Sequence, residues 1–345
     1  MSLKITLFPI YALAGLTDRE VFDQGVLPFE IVPDVAVENV TSLFDTNTFA
    51  WVRNELGRRD LQTLQNVQHA IVHRYEVGEA ADGGTLDLKS EDLVRNLVAC
   101  LRLIRPMRQR TSFMRGELTV GGKFDVKHFE HPRELMDVPE VQKLFHLRNG
   151  DLVLLRAIAS EFLRAMAGEF WKFRMAVDFH EAGHFQDWYW KARYSLWCSA
   201  LESLFTSNAP EHRYSLVATE RIKWFLGANT SIYDPGDIPD FVRPRPNISL
   251  GDVVSKIYAV RNFIAHGDRI PDEYFERKMR QGLNGELSLL QVLIEAVSFV
   301  VRKSLLRILQ NNLLDNFANA AASEAFFGAE GLTNTAIRQR QQLAR

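Results

Sequence analysis

Ser249-Leu250-Gly251-Asp252-Val253-Val254-Ser255-Lys256-Ile257-Tyr258-Ala259-Val260-Arg261-Asn262-Phe263-Ile264-Ala265-His266-Gly267 carries both a start and a stop signal for one helix. Ser249, with Asp252 three residues on, has the form of a capping box, Asp standing where Glu or Gln is usual. Gly267 suits the left-handed turn that ends a helix. At about 100° per residue, Leu250, Val253, Val254, Ile257, Val260 and Ile264 share one arc from about 280° to about 40°. Arg261 falls inside that arc. An arginine on an apolar stripe is costly unless its guanidinium reaches a partner or a cleft. Tyr258, Asn262 and His266 share the flank, at about 80°, 120° and 160°. The segment therefore delivers a constrained guanidinium, an amide and an imidazole to one helix end.

Those groups suit RNA cleavage without a metal. An imidazole can take a proton from a ribose 2′-OH or give one to a leaving 5′-oxygen. A guanidinium can neutralise charge growing on the phosphate in the transition state. An amide can hold the phosphate or orient the imidazole.

The rest of the chain frames this helix. A length of 345 residues suggests two domains. From Asp151 onward the apolar spacing is helical: Leu152, Leu155, Ala159, Phe162 and Leu163, then Phe170–Val177, then Trp188–Phe205, then Leu216–Leu226 closed by Gly227. A loop rich in Pro, Gly and Asp is expected over Asn229–Asn247, and one long final helix over Glu286–Phe317. The segment 320–345 reads as a small, polar, loosely held tail.

Residues 1–150 are mixed. Lys4–Ala14 reads as a strand or loop entering the domain rather than a signal peptide, since Pro9 interrupts the apolar run. Val26–Pro33 reads as short extended structure, Asn47–Tyr75 as helical, Asp82-Gly83-Gly84 as a turn, and Ser90 as the start of a helix stopped by Pro106. The expected fold is thus mainly α: an N-terminal mixed α/β domain over 1–150, a helical domain over 151–319 and the tail. The first half shows no catalytic constellation and is assigned a regulatory or sensing role by elimination.

The net charge of −2 argues against a chain coated in basic residues for non-specific nucleic-acid binding, but not against a local basic groove. Arg102, Arg105, Arg108, Arg110 and Arg115 form a basic cluster that reads as a solvated surface or, less simply, a phosphate path. Trp188, Tyr189, Trp190 and Trp197 read as packing or as stacking platforms. Arg302, Lys303 and Arg307 read as the polar face of the last helix. Cys100 and Cys198 lie far apart without CxxC spacing and read as buried free thiols, which fits a cytoplasmic location. No apolar run long enough for a membrane span appears.

The stretch Arg261–His266, with Tyr258 before it and Gly267 after it, resembles the Arg-polar-x-x-x-His signature of the HEPN family, and in particular its ApeA-like branch. Ala200-Leu201-Glu202-Ser203-Leu204-Phe205 is similar to that branch's Ala-Leu-Glu-x-Leu segment, and Ala218–Leu226 resembles its second helix. The resemblance covers roughly residues 188–315. It implies a helical bundle and a cofactor-free endoribonuclease acting on RNA, tRNA included. It also implies a homodimer whose two motifs face one cleft, and products with 2′,3′-cyclic phosphate and 5′-hydroxyl ends. Arg261, Asn262 and His266 would be catalytic, with Glu202 and Tyr258 in support and a protein or phage-derived trigger acting on the N-terminal domain. Many members act in antiviral defence or as toxins. Others only bind RNA or nucleotides, or serve as scaffolds, and that is the alternative reading.

A second motif competes. His180-Glu181-Ala182-Gly183-His184 fits HExxH, in which two histidines on one helix face bind zinc and the glutamate activates water. Glu202, eighteen residues after His184, has a plausible third-ligand spacing. Its Ala-Leu-Glu-Ser context belongs instead to the helix described above. A chance match, with no metal, is the preferred reading, and a zinc protease is the lesser alternative.

Overall fold

The computed structural model describes residues 2–9, 27–55, 61, 65, 69–78, 83–105, 113–130, 149–184, 189–206, 214–232, 248–282 and 285–343. Two compact units divide the chain, Met1–Leu163 and Arg164–Arg345. The first is built on an antiparallel sheet and the second is mainly helical, so the chain as a whole is mainly α with an N-terminal mixed unit. The division lies inside the helix Asn149–Ala167. The expected boundary near 150 therefore marks where that helix starts, not where the units part.

The first unit holds strands β1 (Ser2–Pro9), β2 (Phe29–Val32), β3 (Val35–Asn39), β4 (His69–Val77), β5 (Phe113–Leu118) and β6 (Phe124–Glu130) in the order β2-β3-β4-β1-β5-β6. Helix α1 spans Thr46–Glu55, α2 spans Gly83–Ile104 and α3 spans Asn149–Ala167. Alternation along the strands sorts the side chains by face. Ile5, Leu7, Val72, Met114, Phe124 and Val126 pack with Leu43, Phe44 and Val52 of α1 and its approach.

The opposite face carries Lys4, Thr6, His73 and Tyr75, and α2 answers with polar groups. Ser90 Oγ donates to Thr6 Oγ1 at 2.7 Å and lies 2.8 Å from His73 Nδ1. Asp87 accepts from Lys4 Nζ at 3.1 Å and from Tyr75 OH at 2.8 Å. Arg115 reaches Glu91 at 2.5 Å. Burial pushes the Tyr75 hydroxyl up to about 12 and moves the His73 imidazole below its ordinary value. Two cations thus meet two carboxylates in a charge-balanced layer that joins sheet to helix.

Three expectations for this unit are corrected. The helical reading of Asn47–Tyr75 holds for the described residues Asn47–Glu55, Leu61 and Gln65 and fails from His69, because His69–Val77 is a strand whose run Ala70-Ile71-Val72 is fully buried. Asp82-Gly83-Gly84 is not a simple turn, since α2 already begins at Gly83. The basic cluster is not a surface path where it is described. Arg102 and Arg105 are buried, Arg105 Nε meets Asp151 at 2.7 Å, and Arg115 is paired as above. Arg108 and Arg110 lie outside the described residues.

The second unit contains α4 (Trp171–His184), α5 (Trp190–Phe205), α6 (Tyr214–Leu226), α7 (Leu250–His266), the short α8 (Glu273–Glu276) and α9 (Leu289–Gln310), then α10 (Ala320–Ala329) and α11 (Asn334–Leu343). Helix α5 packs against α4, α6, α7 and α9, so both of its flanks are lined by helices. Its Tyr194, Trp197, Ala200, Leu201, Leu204 and Phe205 are all buried, within the helix expected over Trp188–Phe205. Helix α9 is buried along most of its length, Ser298, Arg302 and Ser304 included. No helix among the described residues is long and apolar enough to cross a membrane.

The final helix is shorter than Glu286–Phe317. A hairpin of β7 (Lys278–Gly282) and β8 (Gly285–Ser288) precedes it, and Ser288 with Gln291 forms the capping box that starts it. It ends at Gln310, and Asn312 turns the chain with φ 53°. Arg302 is buried rather than part of a polar face.

The segment after Ala320 is also not a loose tail. Arg221 of α6, fully buried, donates to Leu332 O and Phe205 O at 3.1 Å each and to Glu324 at 2.9 Å, and stacks 4.7 Å from the Phe327 ring. Phe327 and Ser323 are fully buried too. Three aromatic neighbours, Phe205, Phe225 and Phe317, complete the seat of Phe327 or of its partner rings. Small alanines concealed this anchoring because the partners that fix the segment lie about a hundred residues upstream, beyond any local pattern.

Candidate active site

Helix α7 has the bounds its capping signals imply. Ser249 Oγ accepts from the Asp252 N–H, and Asp252 accepts from the Ser249 N–H, each at 3.3 Å. The Ser249 hydroxyl also donates to the Asp252 carboxylate at 2.6 Å, and this bond, with that from the Ser249 N–H, holds the carboxyl below its ordinary value. At the other end Gly267 adopts φ 72°, its N–H donating to Ile264 O while Asp268 N–H donates to Phe263 O at 2.8 Å. That is a Schellman closure, and it fixes the last turn that carries Asn262 and His266. Ser249→Ala is expected to cost about 1 kcal/mol, read as a lower urea midpoint with unchanged slope. An unchanged midpoint would mean that packing alone sets the start of α7.

The buried face of α7 comprises Leu250, Val253, Val254, Ile257, Tyr258 and Val260. Tyr258, placed on the flank by the wheel, is in fact only 2% exposed. Ile264, placed on the buried arc, is partly exposed, as are Arg261, Asn262 and Phe263. The helix is therefore sunk at its start and middle and emerges over its last turn and a half, leaving His266 exposed.

Arg261 finds the partner its position demands. Its Nη2 lies 3.1 Å from one carboxylate oxygen of Glu202 and donates to the other at 3.2 Å. The Arg261 side chain is 32% exposed and that of Glu202 17%, so the pair sits at the rim of the interior with the guanidinium outermost. Burial raises Glu202 above its ordinary value, against the lowering influence of Arg261.

Beneath the pair runs a polar strip. Tyr194, Cys198 and Glu202 recur every four residues on α5 and so share one face of that helix. Tyr194 OH donates to Ile257 O of α7 at 2.9 Å. The Tyr258 hydroxyl is buried without a hydrogen-bond partner. Burial drives it well above its ordinary value, with the charges of Glu202 and Arg261 acting on it in opposite senses. Leaving a buried hydroxyl unmatched costs on the order of 1–3 kcal/mol. The sequence resemblance marked Tyr258, but nothing in the sequence shows that its hydroxyl is left unmatched.

The HExxH residues occupy the end of α4. His180 and His184 are buried, with their Nε2 atoms 3.2 Å apart. Trp197 lies edge-on to His184 at 5.6 Å and donates from Nε1 to His180 O at 3.1 Å. Among the described residues no group of three or more His, Cys, Asp or Glu side chains is placed to share a metal ion. Glu202, the third ligand that the zinc reading asks for, faces Arg261 instead. Gly183 is required by the packing: a Cβ there would meet Trp197 Nε1 at 2.4 Å. Gly183→Ala is expected to destabilise by about 1–3 kcal/mol through overpacking. Denaturant unfolding checks this, and a neutral result would show that Trp197 moves freely.

The proposed stacking residues divide. Trp197 is buried, Trp190 partly buried and Tyr189 exposed, while Trp188 lies outside the described residues. Cys100 and Cys198 are free and buried, their thiols raised by burial.

No family model matches the chain, and no curated protein or solved structure gives a significant match.

Proposed function

We propose that the second unit is a HEPN-type endoribonuclease of the ApeA-like kind, cleaving RNA by attack of a ribose 2′-oxygen and needing no metal for that step. The observation that carries this reading is the last turn and a half of α7. There a rim guanidinium is held by a single carboxylate while an exposed imidazole stands at the same helix end. Arg261 stabilises the charge that develops on the phosphate, where a preorganised cation is most effective. His266 carries the proton transfers and Asn262 positions the phosphate or the imidazole. Glu202 sets the direction of the guanidinium.

The partly exposed Phe263 and Ile264 beside the motif support a homodimer in which two such helix ends share one cleft. The first unit supplies the regulatory or sensing part, responding to a protein or phage-derived trigger, and the biological role is antiviral defence or toxicity towards cellular RNA in the cytoplasm. The test is incubation of total RNA and tRNA with the purified chain in EDTA. Fragments ending in 2′,3′-cyclic phosphate and 5′-hydroxyl are expected. RNA that is bound but left intact would move the chain to the non-catalytic, RNA-binding class.

A further inference from the structure

We propose that Lys172, Arg221 and Ser323 are positioning residues: from three other helices they close the end of α5 and so hold Glu202 against Arg261. The inference rests on the ribonuclease reading of that pair, and it concerns what fixes the carboxylate side of it.

The two members of the ion pair stand on helices that end in different ways. Helix α7 closes itself, through Gly267 and bonds between backbone groups. Helix α5 has no such turn, and its cap residue Thr206 is extended, with φ −116° and ψ 132°. The last carbonyls of a helix have no partner inside it and must find one elsewhere. Those of α5 find side chains distant in sequence. Ser323 Oγ of α10 donates to Leu204 O at 3.4 Å. Arg221 Nη1 of α6 donates to Phe205 O and Lys172 Nζ of α4 to Thr206 O, each at 3.1 Å. All three side chains are buried. Two of them are cations, which also suit the negative end of the helix dipole.

Glu202 belongs to the turn closed in this way. Its carbonyl accepts from the Thr206 N–H at 2.9 Å and from Thr206 Oγ1 at 2.6 Å. The residue that Lys172 holds is therefore bonded directly to the residue that aims Arg261. The Glu202 carboxylate meets Arg261 Nη2 at 3.1 Å, so a shift of the turn moves the guanidinium as well. Arg221 is itself gripped by the segment after Ala320, through Glu324 at 2.9 Å and Leu332 O at 3.1 Å. That segment touches the site only through the end of α5.

Lys172→Met keeps the apolar stem and removes the donor to Thr206 O. It is expected to lower kcat for RNA cleavage about tenfold with KM nearly unchanged, because small misplacements of a catalytic group are costly while the groups that meet the RNA all remain. Ser323→Ala, which removes one oxygen atom, should act in the same sense and less. Hydrogen exchange supplies a local readout: the Thr206 amide should exchange faster in Lys172→Met, and the Gly267 amide at the end of α7 should not. A residue that only packs would lower the melting temperature and leave kcat intact well below it. Glu202→Ala provides the second arm. With no carboxylate left to hold, adding Lys172→Met to that chain should cost no further kcat.

An unchanged kcat in Lys172→Met and Ser323→Ala, or equal losses with and without Glu202, would overturn the positioning role while leaving the ribonuclease reading in place. Failure of the unsubstituted chain to cut RNA would overturn both.

Discussion

His266→Ala should abolish RNA cleavage, lowering kcat/KM by about 10²–10⁴-fold while leaving the fold intact. The two halves of that expectation come from different facts. The loss follows from role: no other histidine is on α7, and the opposite proton transfers of a 2′-transesterification need a group that can both accept and donate near neutrality. The intact fold follows from position, because His266 is exposed at the end of a helix already closed by Gly267. That closure is made by backbone groups, which alanine at 266 keeps, and exposed substitutions that leave such features in place generally shift stability by about 0.5 kcal/mol or less. The comparison is made in EDTA, with matched unfolding curves for the two proteins. Equal cleavage by both would remove His266 from the site and with it the reading of α7 as catalytic. A His180→Ala protein gives the complementary control: RNA cleavage in EDTA should survive there, provided the packing against Trp197 holds.

Much of the helical unit was legible because its information is local. Ser249, Asp252 and Gly267 state the bounds of α7 within nineteen residues, and the apolar spacing of α5 states its buried arc. What escaped was set by contacts distant in sequence. The segment after Ala320 is anchored by Arg221 and Phe205, and no local pattern in its alanines announces that. In the first unit, His69–Val77 shows apolar residues at spacings that a helix also allows. Its identity as a strand comes from pairing with β1 and β3 on either side.

The site divides in the same way. The candidates Arg261, Asn262 and His266 lie within one short run, and the arc showed that Arg261 needs a partner; Glu202 was marked by its Ala-Leu-Glu-Ser segment, and its pairing with Arg261 is seen in the structure. The depth of Tyr258 was not legible. A wheel treats the helix as lying flat on its neighbours, whereas α7 dips at its middle and lifts at its end. The polar layer of Lys4, His73, Tyr75, Asp87, Ser90 and Arg115 was missed for a related reason: its members lie on three strands and a helix, and meet only when the sheet is formed.

Arg261→Ala should lower kcat/KM by about 10²–10³-fold, the scale associated with losing one preorganised charge donor in the transition state. Arg261→Lys should recover part of this, since an ammonium restores the charge but not the planar fork. The same substitution makes a second, independent statement about stability. Glu202 is already raised above its ordinary value by burial, and Arg261 is the charge that opposes the rise. With alanine at 261 the opposing charge is gone and the folded-state value climbs further. A carboxyl raised in the folded state binds its proton there at pH values where the unfolded chain has released it. Stability must then fall as pH rises from the ordinary carboxylate range through the raised one. Urea unfolding should therefore find Arg261→Ala close to the unsubstituted protein at about pH 5 and clearly less stable at about pH 8. A stability difference that is flat with pH would mean that Glu202 gains water once Arg261 is removed, and that the rim ion pair contributes to the site without shaping the interior. A difference that grows with pH, joined to lost cleavage, would tie the direction of the guanidinium and the charge of Glu202 to one and the same contact.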